Sequence, residues 1–353
     1  MILDPSHAIA ADDGSGIGDP GWAELGRALV QALGEKPATL LVRERLKPRV
    51  FRLRLETHAR VRSLIAKRMD PAHARRNEHV IRRWLPAQGM GDLVPELLGV
   101  SASPDGTWVW HVYEDLGPWE LASREDDPER LAAAVRKVAA LHARFALHPV
   151  LAECRLHGVD FGPSFMASNL RDAIAALEGL RPPRLMPSPS EAALRDRLLD
   201  RLRCLQGCAA AHAETLARWG GPETLLHGDL WTTNVFAEPA PGGARVRLVD
   251  WDRAGVGSAS YDLSAFLLRF PPARRAEIVT LYREALGGQG WNMPGTRELN
   301  ALFAIAELAR YANRVIWPAL ALIADGAGWG FDELAAVEGW FEALGPVLPE
   351  ATA

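Results

Sequence analysis

The chain has 353 residues, enough for two domains or for one large domain, and 48% of them are hydrophobic and 24% charged, a composition typical of a soluble globular protein. Its 40 lysines and arginines nearly balance 44 aspartates and glutamates, so the net charge of −4 favours neither nucleic acid nor an anionic membrane as a partner. Three cysteines without paired spacing argue against a disulfide framework. No secretory signal or uninterrupted apolar span is visible, and we predict a cytoplasmic protein without a membrane segment.

The first third of the chain has the pattern of a small mixed domain. Residues 1–19 are rich in Gly, Asp and Ser, and we predict a mobile N-terminus there. The pair Asp-Pro that follows predicts a helix over residues 20–34. Alternation of apolar and polar side chains predicts strands in residues 48–56 and 59–70, joined as a hairpin. After a further helix, residues 93–117 predict two more strands around a Pro-Asp-Gly turn.

The character of the sequence changes at residues 114–118, which we interpret as a hinge. Residues 20–113 form a strand-rich lobe by this interpretation. Residues 119–353 have mainly helical spacing, with apolar residues three and four apart. The exception is a predicted hairpin at residues 225–252. The sequence therefore predicts a strand-rich lobe followed by a larger helical lobe.

One motif in that hairpin region carries the chemistry. Residues 226–235 are LHGDLWTTNV, and LVDWDRAG follows at residues 248–255. A hairpin turn in the intervening EPAPGG would bring Asn234 near Asp250, with Asp229 on the loop that enters the hairpin. An amide and one or two carboxylates suit Mg²⁺, which also takes water and substrate phosphate oxygens as ligands. A spare carboxylate at Asp229 suits the orientation and deprotonation of an attacking hydroxyl, as phosphoryl transfer requires.

HGDLWTTN followed by LVDWD resembles the catalytic loop and metal segment of aminoglycoside phosphotransferases and their choline-kinase-like relatives. The resemblance implies an α+β, protein-kinase-like two-lobe fold, with an N-terminal antiparallel β-sheet lobe containing a helix and a larger, mainly α-helical C-terminal lobe. It also implies that Asp229 is the catalytic base and that Asn234 and Asp250 are the Mg²⁺ ligands. His227 is similar to the structural histidine of this loop, and Asp262, as a helix N-cap, would brace the loop.

The order of the upstream elements agrees with the same family and implies the nucleotide contacts. In LIAKRM, alternation places Ile65 and Lys67 on one face, so that Ile65 faces adenine and Lys67 contacts the α- and β-phosphates. Glu78, on the following helix, is expected to pair with Lys67. VYEDLG resembles the family's hinge, where backbone groups around Glu114 and Leu116 would meet the adenine edge. No glycine-rich loop precedes the lysine, so how the γ-phosphate is covered stays open.

The resemblance implies an ATP- and Mg²⁺-dependent phosphotransferase, a kinase that moves the γ-phosphate to a hydroxyl of a small molecule. The N-terminal lobe would bind the nucleotide and the C-terminal lobe the acceptor. The acceptor stays open between an aminoglycoside, another sugar, an amino alcohol, a macrolide and a homoserine-like compound, because Arg310 and Arg314 lie among acidic residues in the expected acceptor region. The preference for ATP or GTP and the oligomeric state also stay open.

Two alternatives belong to other functional classes. A catalytically inactive nucleotide-binding scaffold of the same fold would fit the missing glycine-rich loop. A metal-dependent phosphohydrolase would use Asp229, Asp250 and Asp252 around two ions. The scaffold predicts nucleotide binding without turnover, and the phosphohydrolase predicts hydrolysis of phosphate monoesters without ATP.

Overall fold

The structure, a computed structural model, divides the chain into two compact units that we describe separately. Unit 1 comprises Met1–Ala133 and Thr233–Ala254, and unit 2 comprises Ala134–Thr232 and Gly255–Ala353. The predicted N-terminal segment lies outside the described residues. The structure describes residues 21–36, 39–58, 60–287 and 291–349.

Unit 1 is built on a five-stranded antiparallel sheet in the order β1-β2-β3-β5-β4. Its strands are β1 Thr39–Lys47, β2 Val50–Glu56, β3 Val61–Met69, β4 Leu97–Ala102 and β5 Val109–Glu114. A separate hairpin in this unit consists of β8 Val235–Ala240 and β9 Gly243–Leu248. The helices are α1 Trp22–Leu33 and α2 Pro71–His79, which continues as a π-helical turn over Val80–Trp84 and ends in a short turn over Leu85–Ala87.

Alternating side chains in β2 explain how the sheet acquires its core. Phe51, Leu53 and Leu55 are buried, whereas the arginines between them are not. Because successive side chains of a strand point to opposite faces, the three apolar residues share one face. Leu25 and Leu29 of α1 belong to the same apolar cluster. The first helix therefore covers one face of the sheet.

Gly99 in β4 marks the closest approach of α1 to this sheet. A Cβ atom on Gly99 would lie 2.1 Å from the carbonyl oxygen of Ala28, a backbone atom of α1. We expect Gly99→Ala to lower the free energy of unfolding by about 1–3 kcal/mol because the helix must shift, as measured by urea denaturation. The matched control is Gly339→Ala, where a Cβ meets no atom within 4 Å and alanine favours the helix. An equal loss in both variants would contradict this packing.

Unit 2 is mainly helical and encloses a small sheet in the order β6-β10-β7. The strands are β6 Val159–Asp160, β7 Glu223–Leu226 and β10 Gly255–Ser258. Leu170, Leu198, Val315 and Phe341 represent four of the helices that form its largest apolar cluster. The helices are α3 Pro128–Phe145, which begins in unit 1, α4 Leu151–His157, α5 Pro163–Glu178, α6 Pro189–Gly207, α7 Ala209–Trp219, α8 Ser260–Leu267, α9 Pro272–Gly287, α10 Thr296–Asp325 and α11 Trp329–Ala343.

The predicted α+β class is confirmed, with an N-terminal antiparallel sheet and a larger helical C-terminal part. Two local predictions differ from the structure. The turn in EPAPGG is shorter than expected, since β8 and β9 pair as far as Ala240 and Gly243; a two-stranded ribbon has only edge strands, which tolerate Pro239. Asp262 lies in the first turn of α8 and is not its N-cap, because the helix already begins at Ser260. No helix among the described residues combines the length and apolarity needed to cross a bilayer.

Candidate active site

Lys67 on β3 is held by two carboxylates that follow β9. Its ammonium nitrogen lies 2.6 Å from Asp250 Oδ1 and 2.8 Å from Asp252 Oδ2. The lysine side chain is 17% exposed. Burial by itself would lower the pKa of Lys67, but the charges and hydrogen bonds of the two carboxylates outweigh it and raise that pKa. Lys67 therefore provides a fixed positive charge inside unit 1.

Asp250 has a backbone conformation that few residues with a Cβ adopt. Its φ of 67° and ψ of 55° place it in the left-handed region, which aspartate tolerates better than most side chains. The residue follows the end of β9 and precedes a 3₁₀ turn over Trp251–Arg253, so it turns the chain sharply. Trp251 anchors that turn, since its buried indole N–H donates to the carbonyl of Leu248 at 3.0 Å. Strained backbone held by its surroundings is often found at functional sites.

The hairpin brings Asn234 to the same end of the ribbon as Asp250. Val235 pairs with Leu248, and the N–H of Val249 donates to the carbonyl of Asn234 at 3.0 Å. Asn234 is only 4% exposed. Asn234 and Asp250 both line one cavity of unit 1. The amide and the carboxylate expected to bind a metal therefore border the same space.

This cavity has a volume of about 490 Å³ and also contains Lys67 in its lining. An apolar cleft of this size with a few polar groups has the usual form of a small-molecule site. The structure thus gathers Ile65, Lys67, Glu114, Leu116, Asn234 and Asp250 around one cavity. The apolar lining comes from the sheet, the following helical turn and the hairpin: Leu46, Val50, Ile65, Ile81, Tyr113, Phe236 and Val249.

The predicted hinge residues form one border of the cavity. The carboxylate of Glu114 lies 3.3 Å from Arg247 on β9, and Asp115 accepts a hydrogen bond from Arg52 at 2.9 Å. These contacts fix the segment on both sides. In the described part of the chain, no protein group forms a hydrogen bond with the backbone N–H or C=O of Leu116. Those two backbone groups are therefore open to a ligand.

The structure does not bring Glu78 to Lys67, which corrects the expected ion pair. The Glu78 carboxylate lies 3.3 Å from His111 and 3.5 Å from Arg82, and the hydrogen bond with His111 is the main cause that lowers the pKa of Glu78. Across the described residues, no ion pair links Glu78 and Lys67, and Glu78 does not line the cavity. The reason is the rotation of α2 about its axis, which turns this residue towards β5.

Asn77, one residue earlier on α2, takes the place expected for Glu78. Its side-chain amide donates to Asp252 at 2.6 Å and to the carbonyl of His73 at 3.0 Å. Arg76 of the same helix donates to the backbone carbonyl of Asp252. Asp252, for which the sequence predicted a role only in the phosphohydrolase alternative, therefore links α2 to Lys67. The helix aligns the lysine through this carboxylate.

Asp229 belongs to unit 2, on the loop that follows β7. The carboxylate of Asp262 accepts hydrogen bonds from the backbone N–H groups of His227 at 2.7 Å and Gly228 at 2.8 Å. The φ of Gly228 is 80°, a conformation that favours glycine. The N–H of Asp229 in turn donates to His227 Nδ1 at 3.3 Å. The two residues that precede Asp229 are therefore hydrogen-bonded to α8.

Asp262 is an ionised carboxylate in the core of unit 2. It is fully buried, and His142 Nε2 lies 3.3 Å from its Oδ2. Burial would raise the pKa of Asp262, but hydrogen bonds and the charges of His142 and His227 outweigh it and lower that pKa. His142 is itself held by the hydroxyl of Tyr282 at 2.6 Å. The loop carrying Asp229 thus rests on a buried polar network.

We expect Asp262→Asn to lower thermal stability most at neutral pH. Because the folded pKa of Asp262 lies below its unfolded value of about 3.9, the unfolded state binds more protons in acid. The contribution of the carboxylate to folding stability is therefore complete above the unfolded pKa, and it is lost as the pH falls through the folded pKa. The difference in melting temperature between wild type and variant should shrink from pH 7 towards pH 3. The exposed Asp172→Asn is the control, and a pH-independent difference would contradict the assignment.

Arg310 on α10 is a buried cation whose positive charge interacts with the carboxylate of Asp229. It pairs with Glu307, and its Nη2 donates to the carbonyl of Tyr261 at 2.9 Å. Burial would lower the pKa of Arg310, but Tyr261, Glu307 and, to a smaller extent, Asp229 raise it. No role for Arg310 followed from the sequence, because tertiary packing decides whether such a charged pair is buried.

A model described as the phosphotransferase enzyme family matches residues 41–299. The chain belongs to this phosphotransferase family. The matched span contains Lys67, Asp229, Asn234 and Asp250 of the phosphotransferase. No protein of curated function matches the chain.

Solved structures of small-molecule kinases share the fold of this phosphotransferase. An ethanolamine kinase from Plasmodium vivax matches with a TM-score of 0.57 and 13% identity, covering 84% of this chain and 81% of that one. A spectinomycin phosphotransferase in complex with ADP and spectinomycin matches with a TM-score of 0.55 and 11% identity, covering 89% and 92%. The GDP and kanamycin complex of APH(2")-IIia matches with a TM-score of 0.57 and 14% identity, covering 87% and 95%. These likenesses confirm the predicted fold.

Proposed function

We propose that this phosphotransferase moves the γ-phosphate of ATP to a hydroxyl group of a small molecule. The observation that carries the proposal is the position of Lys67 between Asp250 and Asp252, in an apolar cavity that Asn234 also lines. A fixed cation, two carboxylates and an amide beside an apolar cavity suit a nucleoside triphosphate with its metal ion. Membership of the phosphotransferase family supports the reaction class.

The apolar part of the cavity is assigned to the adenine base. Ile65 lies on the same strand face as Lys67, two residues away, so a base against Ile65 has its phosphates near the lysine. The free backbone groups of Leu116 suit the donor and acceptor edge of adenine, with Glu114 beside them. Lys67 then contacts the α- and β-phosphates, and Asp252 and Asn77 hold the lysine in position.

Asn234 and Asp250 fit a Mg²⁺ ion by the chemistry of their oxygen donors. Mg²⁺ usually takes one or two carboxylates and completes its shell with water and phosphate oxygens. Within the described residues, three or more His, Cys, Asp or Glu side chains do not gather as a preformed metal site, and Mg²⁺ does not require one. When bound, the ion neutralises charge on the β- and γ-phosphate oxygens.

Asp229 is assigned the role of catalytic base. The acceptor hydroxyl oxygen forms a bond to the γ-phosphorus, the bond from that phosphorus to the β,γ-bridging oxygen breaks, and ADP leaves. The hydroxyl proton passes to the Asp229 carboxylate. Because the transition state is loose, the base acts mainly by orienting the hydroxyl, which suits a loop held by Asp262.

The test is ATP turnover by the purified protein with a panel of amino sugars, amino alcohols, macrolides and sugars. We expect ADP to form in a magnesium-dependent reaction, slowly alone and faster with an accepted compound, and EDTA to stop it. ATP binding without any turnover would instead favour the scaffold. Release of phosphate from monoesters without ATP would favour the phosphohydrolase. Either result would overturn the proposal.

A further inference from the structure

Arg269 lies beside the loop that carries the proposed base. It follows the end of α8, and its guanidinium carbon lies 4.4 Å from the centre of the Trp231 ring. Trp231 is two residues after Asp229, and its backbone N–H donates to the Asp229 carbonyl at 2.9 Å. All three residues belong to unit 2. The guanidinium group of Arg269 therefore makes a cation–π contact with the loop that carries Asp229.

The charge of Arg269 has no carboxylate partner in the described ranges of the chain. Its side chain is exposed. Arg275 on α9 donates hydrogen bonds to the backbone carbonyls of Phe270 and Val347. The pKa of Arg275 is lowered, mainly by burial and also by the positive charge of Arg269. The guanidinium groups of Arg269 and Arg275 thus repel each other. A bound anion would relieve that repulsion.

Tyr311 on α10 is influenced by the positive charges of Arg310 and Arg269. Burial and the charge of Glu307 raise the pKa of Tyr311 to about 12, while Arg310 and Arg269 act in the opposite direction. The tyrosine therefore lies within the electric field of both arginines. Its ring packs against Trp340, with centroids 5.8 Å apart, and Trp340 is 40% exposed. Tyr311 thus forms an aromatic contact with an exposed tryptophan of unit 2.

We propose that Arg269 forms an anion subsite for the acceptor, so that the accepted hydroxyl compound also carries a carboxylate or a phosphate group. The planar guanidinium presents paired N–H donors that match the oxygens of either group. A polycationic acceptor would place like charges next to Arg269 and Arg275. This inference rests on the proposed function, because it assigns the acceptor of the same reaction. In the competing interpretation, Arg269 is a solvated surface residue that binds no acceptor.

The experiment compares four compounds with one sugar framework: glucose, glucosamine, glucuronate and glucose 6-phosphate. Binding to the protein with ADP and Mg²⁺ is measured by calorimetry, and ADP formation with ATP gives kcat/KM. We expect glucuronate, glucose 6-phosphate or both to bind about 10- to 100-fold more tightly than glucose, and glucosamine more weakly. Comparison of glucuronate with glucose 6-phosphate shows whether the subsite prefers a carboxylate or a phosphate.

Arg269→Gln should remove this preference, and Arg269→Lys should keep part of it. Arg297→Gln is the matched control, since Arg297 is an exposed arginine at the start of α10 and should leave the preference intact. Equal binding of the four compounds, a preference for glucosamine, or an unchanged preference in Arg269→Gln would overturn the subsite. ATP turnover with neutral or cationic acceptors alone would overturn the subsite and leave the proposed function standing, whereas the absence of any ATP turnover would overturn the function.

Discussion

Asp229→Asn is expected to lower the rate of phosphoryl transfer by about 10²- to 10⁴-fold, while ATP binding stays close to that of wild type. The amide keeps the size of the side chain but cannot accept the proton of the acceptor hydroxyl. The nucleotide contacts that we assign to Lys67 and Leu116 belong to unit 1 and do not involve this side chain. Transfer is measured as phosphorylated acceptor, and ATP binding by calorimetry.

The control for this variant is Asp200→Asn, an aspartate whose side chain is 83% exposed. It should retain both binding and transfer. The Asp229 loop is held through backbone groups of His227 and Gly228, so the substitution should leave the melting temperature nearly unchanged. A parallel loss of ATP binding and transfer would show that Asp229 supports the structure and is not the base.

Lys67→Met is expected to lower kcat/KM for ATP by about 10²- to 10³-fold. Without the ammonium group, Asp250 and Asp252 face each other with no cation between them, and their charges repel a triphosphate. Removal of one partner of a buried ion pair also destabilises the fold, but this loss is reduced because the Asp250 side chain is 32% exposed. The kinetics are therefore measured well below the melting temperature of the variant.

Lys36→Met serves as the control for Lys67→Met, because Lys36 is an exposed lysine after α1. The control should retain the kcat/KM of wild type for ATP. A second variant, Lys67→Arg, keeps the charge but not the compact shape of the ammonium, and we expect an intermediate loss. An unchanged kcat/KM for ATP in Lys67→Met would remove the basis for placing the phosphates in this cavity.

The parts of the site that depend on local patterns could be predicted from the sequence. Alternation in LIAKRM fixes Ile65 and Lys67 on one strand face, and the structure has both in the cavity lining. The spacing of Asn234 and Asp250 around a short turn fixes them at one end of a hairpin, since strand pairing follows directly from the turn. These positions needed no knowledge of distant contacts.

The rotation of α2 could not be predicted in the same way. Each helical residue turns the side chain by about 100°, so a choice between Asn77 and Glu78 depends on how the helix packs. Asp70 before α2 and Pro71 at its first position predict where the helix begins but not which face meets Lys67. The buried Arg310 and Glu307 of α10 were similarly out of reach, because burial of a charged pair is set by tertiary packing.

Asp262 shows a mixed outcome. The sequence placed it at the beginning of a helix, close in space to HGD, and the structure has its carboxylate on the backbone of His227 and Gly228. Its position within the helix was wrong by several residues, because Ser260 already lies in the first turn. Helix ends are set by a few weak contacts, and these vary more than the helix itself.

The most direct test of the central claim is phosphorus NMR of a reaction that contains the protein, ATP, Mg²⁺ and a pool of hydroxyl acceptors. We predict that the γ-phosphate signal of ATP is replaced by the signals of ADP and a new phosphate monoester, and that this change is lost in Asp250→Asn. Unchanged ATP, or inorganic phosphate as the sole new product with every acceptor, would contradict the account.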